Sequence, residues 1–431
     1  MTQPRLHRLA GPPGTELARW LEAGPHFHDS AAPIVGPSPL LVARISGTDQ
    51  AERDGAAGAE AAAVQLHRRG VEPQLGEPDP IASVRELIQF CRERGRSSVA
   101  LVRGDPSLAG ELQIGSWFNA PLRARIVRRL ARRLPTWALA AARSPRLFRT
   151  AADAAFWAGV RSAATGTEWN RLTSSSYVGF VYHRLAGDGK PGQEKIDTSP
   201  ARFAAQLRLL RLLRFRMLSA DELLAVLSGA KQVPRRCVVL TFDDGTLDCL
   251  EPLRRHASQR PILFVPTGEL SGPAHWLDGE PTMSWDDVRA LAKAGVAVGA
   301  HARRHRRLAG LPHDELVDEA AGSLADLRRE VPDATPILAY PHGSHDVAAR
   351  EAAAAAGFEA AFTTEKGRNG LATDRFCLRR ISVHGFDGPL AVAWKAATGE
   401  PLPRWVEHLR RHRVHVSRTP PLAGDAETSR P

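Results

Sequence analysis

Short apolar runs alternate with longer amphipathic segments between residues 177 and 383. The runs have the length and composition of buried strands, and they lie at 178–183, 237–242, 262–265, 296–300, 337–340, 360–363 and 380–383. The segments between them have helical spacing at 203–213, 220–227, 248–258, 284–295, 313–331 and 348–356. Because alternating strands and helices form parallel sheets, we expect an α/β fold over this stretch.

Polar or special residues stand at or just after several of these predicted strands. They are Asp243, Asp244, His301, Pro341 and His384. In parallel sheets and barrels, functional groups gather at the carboxyl ends of the strands. The pattern therefore predicts one shared site built from these residues.

The residue types at this site favour metal chemistry. Asp244, His301 and His305 form a set of two imidazoles and one carboxylate, which leaves a position for water on a catalytic metal. The i, i+4 spacing of the histidines would place both rings on one side of a helical turn. Strand alternation would turn Asp243 away from Asp244 and free it to handle a proton. Zn is the expected divalent metal, with Fe, Co, Ni and Mn left open. The alternative is an ordinary Asp-Gly turn and two surface histidines.

The chain has 431 residues, which suggests two or three domains, and a formal net charge of +11, which favours anionic partners. Its four cysteines are too few and too scattered for a disulfide scaffold or a cysteine-based zinc site. No secretory signal and no run of eighteen apolar residues is seen, so the sequence predicts a cytoplasmic location.

The first 170 residues have no recognisable fold. Residues 1–80 are weakly specified, 81–94 have a helical pattern, and 97–102 have the composition of a strand. A tail is expected at 401–431, with a short helix from Arg404 to Arg413 and a disordered end.

Residues 112–152 contain nine arginines and no acidic residue. A basic helix is predicted at 123–133, ended by Pro135, with Ile126, Val127, Leu130 and Leu134 on one side. Two interpretations remain open: a solvated arginine face on a helix packed against the next domain, or a surface helix that lies on anionic lipid between Arg123 and Arg149. No nucleic-acid module accompanies the arginines, so no specific nucleic acid is expected.

Three ordered motifs carry a resemblance to a known family. Thr241-Phe-Asp-Asp-Gly245, His301-Ala-Arg-Arg-His305 and Tyr340-Pro-His-Gly343 resemble the polysaccharide deacetylases with a NodB-type homology domain, carbohydrate esterase family 4. The stretch from Met283 to His301 is also typical of this family. The resemblance covers about residues 177–383, and the corresponding predicted domains are 1–170, 171–400 and 401–431.

The resemblance implies a distorted (β/α) barrel and a metal-dependent hydrolase of N-acetyl groups on sugars. It implies that Asp243 is the general base and that Asp244, His301 and His305 hold the metal. A backbone N–H within Tyr340 to His342 would hold the tetrahedral oxyanion, and a histidine on a late strand would protonate the leaving amine. Trp276, Pro341 and His342 are the candidate substrate contacts, with Trp276 in a Gly/Pro loop.

Two positions depart from the family pattern. Ala339 stands where the family usually has an arginine that orients the catalytic Asp, although one subgroup also lacks it; Arg379 or Arg380 is a candidate replacement. The late-strand motif is altered, and His384 is the candidate acid, with His342 and His345 as alternatives and a plain surface turn as the other interpretation.

The expected substrate is an N-acetylated saccharide, in a polysaccharide or glycolipid precursor of the cell envelope. The rival functions are hydrolysis of another amide or an O-acetyl ester, and a catalytically idle module that binds glycan or membrane. A peripheral position at the inner membrane face would follow from the basic segment.

Overall fold

The computed structural model describes residues 5–22, 42–46, 74–75, 79–105, 108–109, 112–118, 120, 122–131, 133–186, 196–370 and 373–403. The chain divides into two compact units. The first comprises residues 1–177, 225–237 and 367–379, and the second comprises 178–224, 238–366 and 380–431. The predicted helix from Arg404 to Arg413 and the tail after it lie outside the described residues.

The first unit combines a small sheet with a group of helices. In the sheet, β1 (Arg5–Ala10) pairs antiparallel with β2 (Val42–Ser46) and parallel with β3 (Gln74–Leu75) and β4 (Asp79–Pro80). The α-helices are Glu16–Glu22, Val84–Gly104, Leu122–Ala131, Thr136–Ala140, Pro145–Ala163 and Gly166–Thr173.

Two long helices, Val84–Gly104 and Pro145–Ala163, form the centre of this unit. Gly95 and Gly159 allow these helices to cross closely, because neither has a side chain. A Cβ added at Gly95 would lie 2.1 Å from the Phe156 carbonyl oxygen, and one added at Gly159 would lie 1.9 Å from the Arg92 carbonyl oxygen. The predicted strand at 97–102 is wrong, since these residues continue the first helix. A short apolar run has no periodicity of its own, and here packing against the second helix decides the conformation.

The second unit is a barrel of mostly parallel strands with helices around it. Its strands are β5 (Tyr177–Tyr182), β6 (Arg216–Met217), β7 (Cys237–Phe242), β8 (Ile262–Val265), β11 (Ala297–Ala300), β12 (Ile337–Ala339), β13 (Ala360–Phe362) and β14 (Arg380–Ser382). They are ordered β13-β12-β11-β8-β7-β5-β14, and β6 pairs with β7. The strands from β13 to β7 run parallel, and β14 runs parallel to β5. The predicted (β/α) barrel is thus confirmed.

Helices and one small hairpin complete the barrel. The helices are Pro200–Leu212, Ala220–Leu227, Leu250–Arg255, Trp285–Lys293, His313–Val317, Ser323–Glu330, Val347–Ala356 and Pro389–Thr398. Ser284 and Asp287 form a capping box, and Gly357 ends its helix in a left-handed conformation. The hairpin pairs β9 (Pro273–Ala274) with β10 (Glu280–Pro281). Within the described ranges, no helix has both the length and the apolar character that crossing a bilayer requires.

Candidate metal centre

The two adjacent aspartates stand at the carboxyl end of β7. The strand ends at Phe242, and the Asp243 N–H still donates to the Tyr182 carbonyl at 3.0 Å. Asp244 then takes φ of +73° and Gly245 +63°. Strand alternation is therefore the wrong reason for separating the two carboxylates, because Asp244 has already left the strand. A non-glycine residue with positive φ is strained by about 1 kcal/mol or more, and such strain clusters at functional sites.

The two histidines are joined by a tight turn, so the predicted helical turn is wrong. His301 follows β11, residues 302–304 form the turn, and Ala302 and His305 have φ of +58° and +54°. The turn brings the two imidazole centroids to 4.9 Å. The two imidazole rings, four residues apart, are thus brought together by residues in the left-handed conformation and not by a helical turn.

Asp244, His301 and His305 meet as a buried set whose donor atoms all lie within 4.8 Å of one another. Asp244 Oδ1 is 3.1 Å from His305 Nε2 and 3.6 Å from His301 Nε2. Tetrahedral ligands on bonds of about 2.1 Å stand about 3.4 Å apart, which is the separation zinc requires. The residues present therefore fit a divalent metal.

The protonation of the set also suits a metal. His301 Nδ1 lies 2.7 Å from the Ala339 carbonyl oxygen and donates to it, so Nε2 keeps its lone pair toward the carboxylates. Burial lowers the pKa of His301 to about 4, so its imidazole is neutral at pH 7. Burial opposes ionisation of Asp244, but the His305 hydrogen bond and the His183 and His301 rings bring its pKa well below the usual value.

Asp243 is held by a buried arginine. Arg380 donates from both terminal nitrogens to the two Asp243 oxygens, at 2.7 and 2.9 Å. Burial alone would raise the pKa of Asp243, yet the Arg380 guanidinium and then His301 lower it below the usual value. Asp243 is therefore ionised at neutral pH. Of the two candidate replacements for the missing family arginine, Arg380 has the geometry to orient this carboxylate.

Arg380 reaches the site across the gap between the two end strands of the sheet. It is the first residue of β14, and its Nε donates to the Thr363 carbonyl just after β13, at 3.0 Å. It also donates to the Thr241 hydroxyl at 3.0 Å, and it lies over the rings of Phe264 and Phe362. The side chain is fully buried, so its position is fixed by these contacts.

A buried carboxylate, Glu319, fixes the turn between the two histidines. Its Oε2 accepts the backbone N–H groups of both Arg303 and Arg304 at 2.9 Å, and its Oε1 accepts Arg304 Nε at 3.0 Å. Glu319 lies in a π-helical turn, Asp318–Gly322, a feature often found beside functional sites. Sequence reasoning missed this residue, because a helical pattern does not reveal that a carboxylate binds a turn 15 and 16 residues earlier in the chain.

We expect Glu319→Ala to lower the affinity for a divalent metal by about tenfold, since outer residues that orient ligands typically contribute 10–100-fold. The two backbone N–H groups of the turn would lose their carboxylate acceptor, and His301 and His305 would be less well placed. Chelator-competition titration with Zn²⁺ measures the effect. Glu330→Ala is the matched control, because Glu330 lies close by on the next helix and pairs with Arg289. Equal affinity in both variants would show that Glu319 has no positioning role.

The third motif offers one backbone donor to the site. The Tyr340 N–H is already donated to the Phe362 carbonyl at 3.0 Å, and Pro341 has no N–H. The expected oxyanion donor within Tyr340 to His342 is therefore narrowed to His342, whose φ is +57°. The Tyr340 ring is buried and stacks on His345. The His342 ring lies 4.8 Å from His305, and burial lowers its pKa, with His305 adding to the effect.

Trp276 and His384 are the remaining candidate site residues, and they have different surroundings. Trp276 is half-buried and stacks on the His305 ring at 4.2 Å between centroids, so it contacts one of the three candidate metal ligands. His384 follows β14; its N–H donates to Asp387 Oδ2 at 2.8 Å, and its ring stacks on Phe386. Asp387 is in turn held by buried Lys395 at 2.5 Å. The roles of Trp276 as substrate contact and of His384 as acid stay predictions.

Comparison with known proteins agrees with the motifs. Residues 230–361 match the family model described as polysaccharide deacetylase. A protein of Bacillus subtilis (strain 168) named "Putative polysaccharide deacetylase YxkH" is 26% identical over 207 residues, which cover 47% of this chain and 70% of that protein.

Two solved structures are also similar to this chain. The Streptococcus pyogenes deacetylase PplD in complex with acetate is 20% identical, with a TM-score of 0.45, over 53% of this chain and 100% of that one. IcaB from Ammonifex degensii is 23% identical, with a TM-score of 0.44, over 52% and 97%. It is the family-model match over residues 230–361, together with the YxkH relative, that confirms the resemblance of this chain to the NodB-type polysaccharide deacetylases.

Proposed function

We propose that this protein is a metal-dependent hydrolase that removes N-acetyl groups from a sugar of a polysaccharide or glycolipid precursor. The observation that carries the proposal is the buried set of Asp244, His301 and His305, with Asp243 beside it in a bidentate pair with Arg380. The match of residues 230–361 to the polysaccharide deacetylase family supports the substrate class. Zn²⁺ is the proposed metal because two imidazoles and one carboxylate are ligands that suit it.

Each residue of the site has a proposed task. When bound, the metal supplies Lewis-acid polarisation of the acetyl carbonyl and of the attacking water. Asp243 accepts the proton of that water, for which its lowered pKa keeps it ready at neutral pH. The His342 N–H stabilises the oxyanion, and His384 protonates the leaving amine. Trp276, which is partly exposed beside His305, is the proposed contact for the sugar ring, whereas Pro341 is buried and is the weaker candidate.

Release of acetate is the test. The metal-loaded protein is incubated with N-acetylglucosamine oligomers and, in parallel, with O-acetylated xylan, and free acetate is measured. Release from the first substrate supports the proposal, whereas release only from the second indicates an esterase. A protein that binds no metal and releases no acetate from either is an idle binding module. The cytoplasmic location and the position at the inner membrane face stay predictions.

We expect the Arg380→Met variant to shift the acid limb of the kcat/KM profile upward by about 1–3 pH units, the usual effect of an arginine on a neighbouring aspartate. Burial would then dominate, the pKa of Asp243 would rise, and the base would become protonated at a higher pH than in the unmodified protein. Breaking a buried pair also costs about 3–5 kcal/mol of stability. Arg380→Lys retains the charge without the bidentate geometry and should shift less. An unchanged profile in both variants would refute the orienting role.

A further inference from the structure

The helix Leu122–Ala131 in the first unit buries an arginine and exposes apolar side chains, which is the reverse of an ordinary surface helix. Arg128 on this helix is fully buried and donates to Asp153, at 2.8 Å from Nε. Ile126 and Leu130 lie on the opposite side of the helix, two residues before and after Arg128, and Leu130 is 65% exposed. The apolar side of this helix is thus its exposed side. In water, a surface helix is stabilised by burying leucine and exposing arginine. The opposite arrangement indicates that the exposed apolar side chains contact something other than water.

Exposed apolar side chains continue beyond this helix. Trp137, in the short helix Thr136–Ala140, is 71% exposed, and Leu134 before it and Leu147 after it are about half exposed. Scattered exposed leucines are ordinary on a protein surface. An exposed tryptophan beside several exposed aliphatic residues within about twenty residues is the composition of a contact surface.

The charge of the same segment selects the partner. Among its described residues the exposed charged ones are all arginines, namely Arg123, Arg129, Arg133, Arg143, Arg146 and Arg149. Trp137 also lines a surface cavity with Arg85, Arg92 and Arg96, in which the single acid, Glu93, is paired with Arg96 at 3.0 Å. Arginines around tryptophan and leucine match a layer that offers phosphates above hydrocarbon.

We propose that the exposed segment between Arg123 and Arg149, here called the basic–apolar segment, docks on an anionic phospholipid surface. The apolar side chains of Ile126, Leu130, Leu134 and Trp137 enter the boundary between headgroups and acyl chains, and the arginines bind the phosphates. The insertion of apolar side chains separates this inference from simple charge attraction. A nucleic acid would use the arginines, but it would gain little from exposed isoleucine and leucine.

Vesicle binding by the full-length protein tests the proposal. Flotation is measured with phosphatidylcholine vesicles and with vesicles that also contain phosphatidylglycerol, at low and high salt. We expect binding to the anionic vesicles, weakened by salt. The Leu130→Ser/Trp137→Ser variant should bind about tenfold more weakly, because it lacks two apolar side chains that would be buried in the membrane. Both side chains are exposed in the free protein, so the variant should fold.

Leu212→Ser/Leu390→Ser is the matched control, because these leucines are 77% and 73% exposed and lie outside the basic–apolar segment. It should bind vesicles like the unmodified protein. Equal binding by the two double variants would overturn the proposal. So would binding to neutral vesicles as strong as to anionic ones, or binding to single-stranded RNA that displaces the vesicles and is unaffected by Leu130→Ser/Trp137→Ser. Acetate release from soluble oligomers should not change in either variant, so the outcome is independent of the proposed hydrolysis.

Discussion

Replacement of Asp243 by asparagine is expected to reduce kcat by about a thousandfold, within the range of general-base contributions, while the metal stays bound. Asparagine has the same shape and can still accept from Arg380, but it has no carboxylate to take a proton from water. The metal should stay because Asp243 Oδ2 lies 3.9 Å from His301 Nε2, whereas Asp244 has the shorter contacts with both histidines.

Two measurements on the Asp243→Asn variant separate the possible roles. Acetate release gives kcat, and elemental analysis after gel filtration gives the metal content. Asp286→Asn is the control, since this carboxylate is exposed on another helix and pairs with Arg289. Turnover at the unmodified rate would rule out Asp243 as the base. Loss of the metal would instead make Asp243 a ligand and would require a different proton acceptor.

The second large effect is expected in His301→Ala, which should lower metal affinity by more than about a hundredfold, beyond the usual effect of an outer residue. Only Asp244 and His305 would remain, and a cavity would replace a fully buried ring that also bonds to the Ala339 carbonyl. Turnover should fall in parallel and should recover in part with excess Zn²⁺.

Thermal unfolding gives a readout of His301→Ala that does not depend on activity. A ligand that binds only the folded state raises the melting temperature, so the same concentration of added Zn²⁺ should stabilise the unmodified protein much more than the variant. His313→Ala is the matched control, because His313 is exposed at the start of its helix. A variant that is stabilised by Zn²⁺ as strongly as the unmodified protein would remove His301 from the ligand set.

Much of the barrel follows from local sequence. The apolar runs at 237–242 and 262–265 coincide with β7 and β8, because their hydrophobic side chains are buried from the strand's first residue to its last. The convergence of Asp244, His301 and His305 was also predictable, since the carboxyl ends of parallel strands lie at one edge of the sheet. The backbone conformation that brings them together was not predictable. Asp244, Ala302 and His305 have positive φ, a conformation that cannot be recognised from the sequence unless the residue is glycine.

What sequence reasoning missed depends on contacts between distant segments. Glu319 is set against the His301 turn only by the packing of its helix on the barrel. The run at 97–102 resembles a strand until it is packed on Pro145–Ala163 as part of a helix. The helix Leu122–Ala131 has an ordinary amphipathic pattern, and only Asp153 on a later helix shows that its buried side is the one with Arg128.

Arg380 has a consequence for how relatives of this protein are recognised. In this chain the guanidinium that binds the Asp243 carboxylate comes from Arg380 of β14, whereas Ala339 of β12 carries no charge. A search that demands arginine at position 339 would discard this chain as inactive. What orients Asp243 is a positive charge at one point in space, and a strand other than β12 supplies it here.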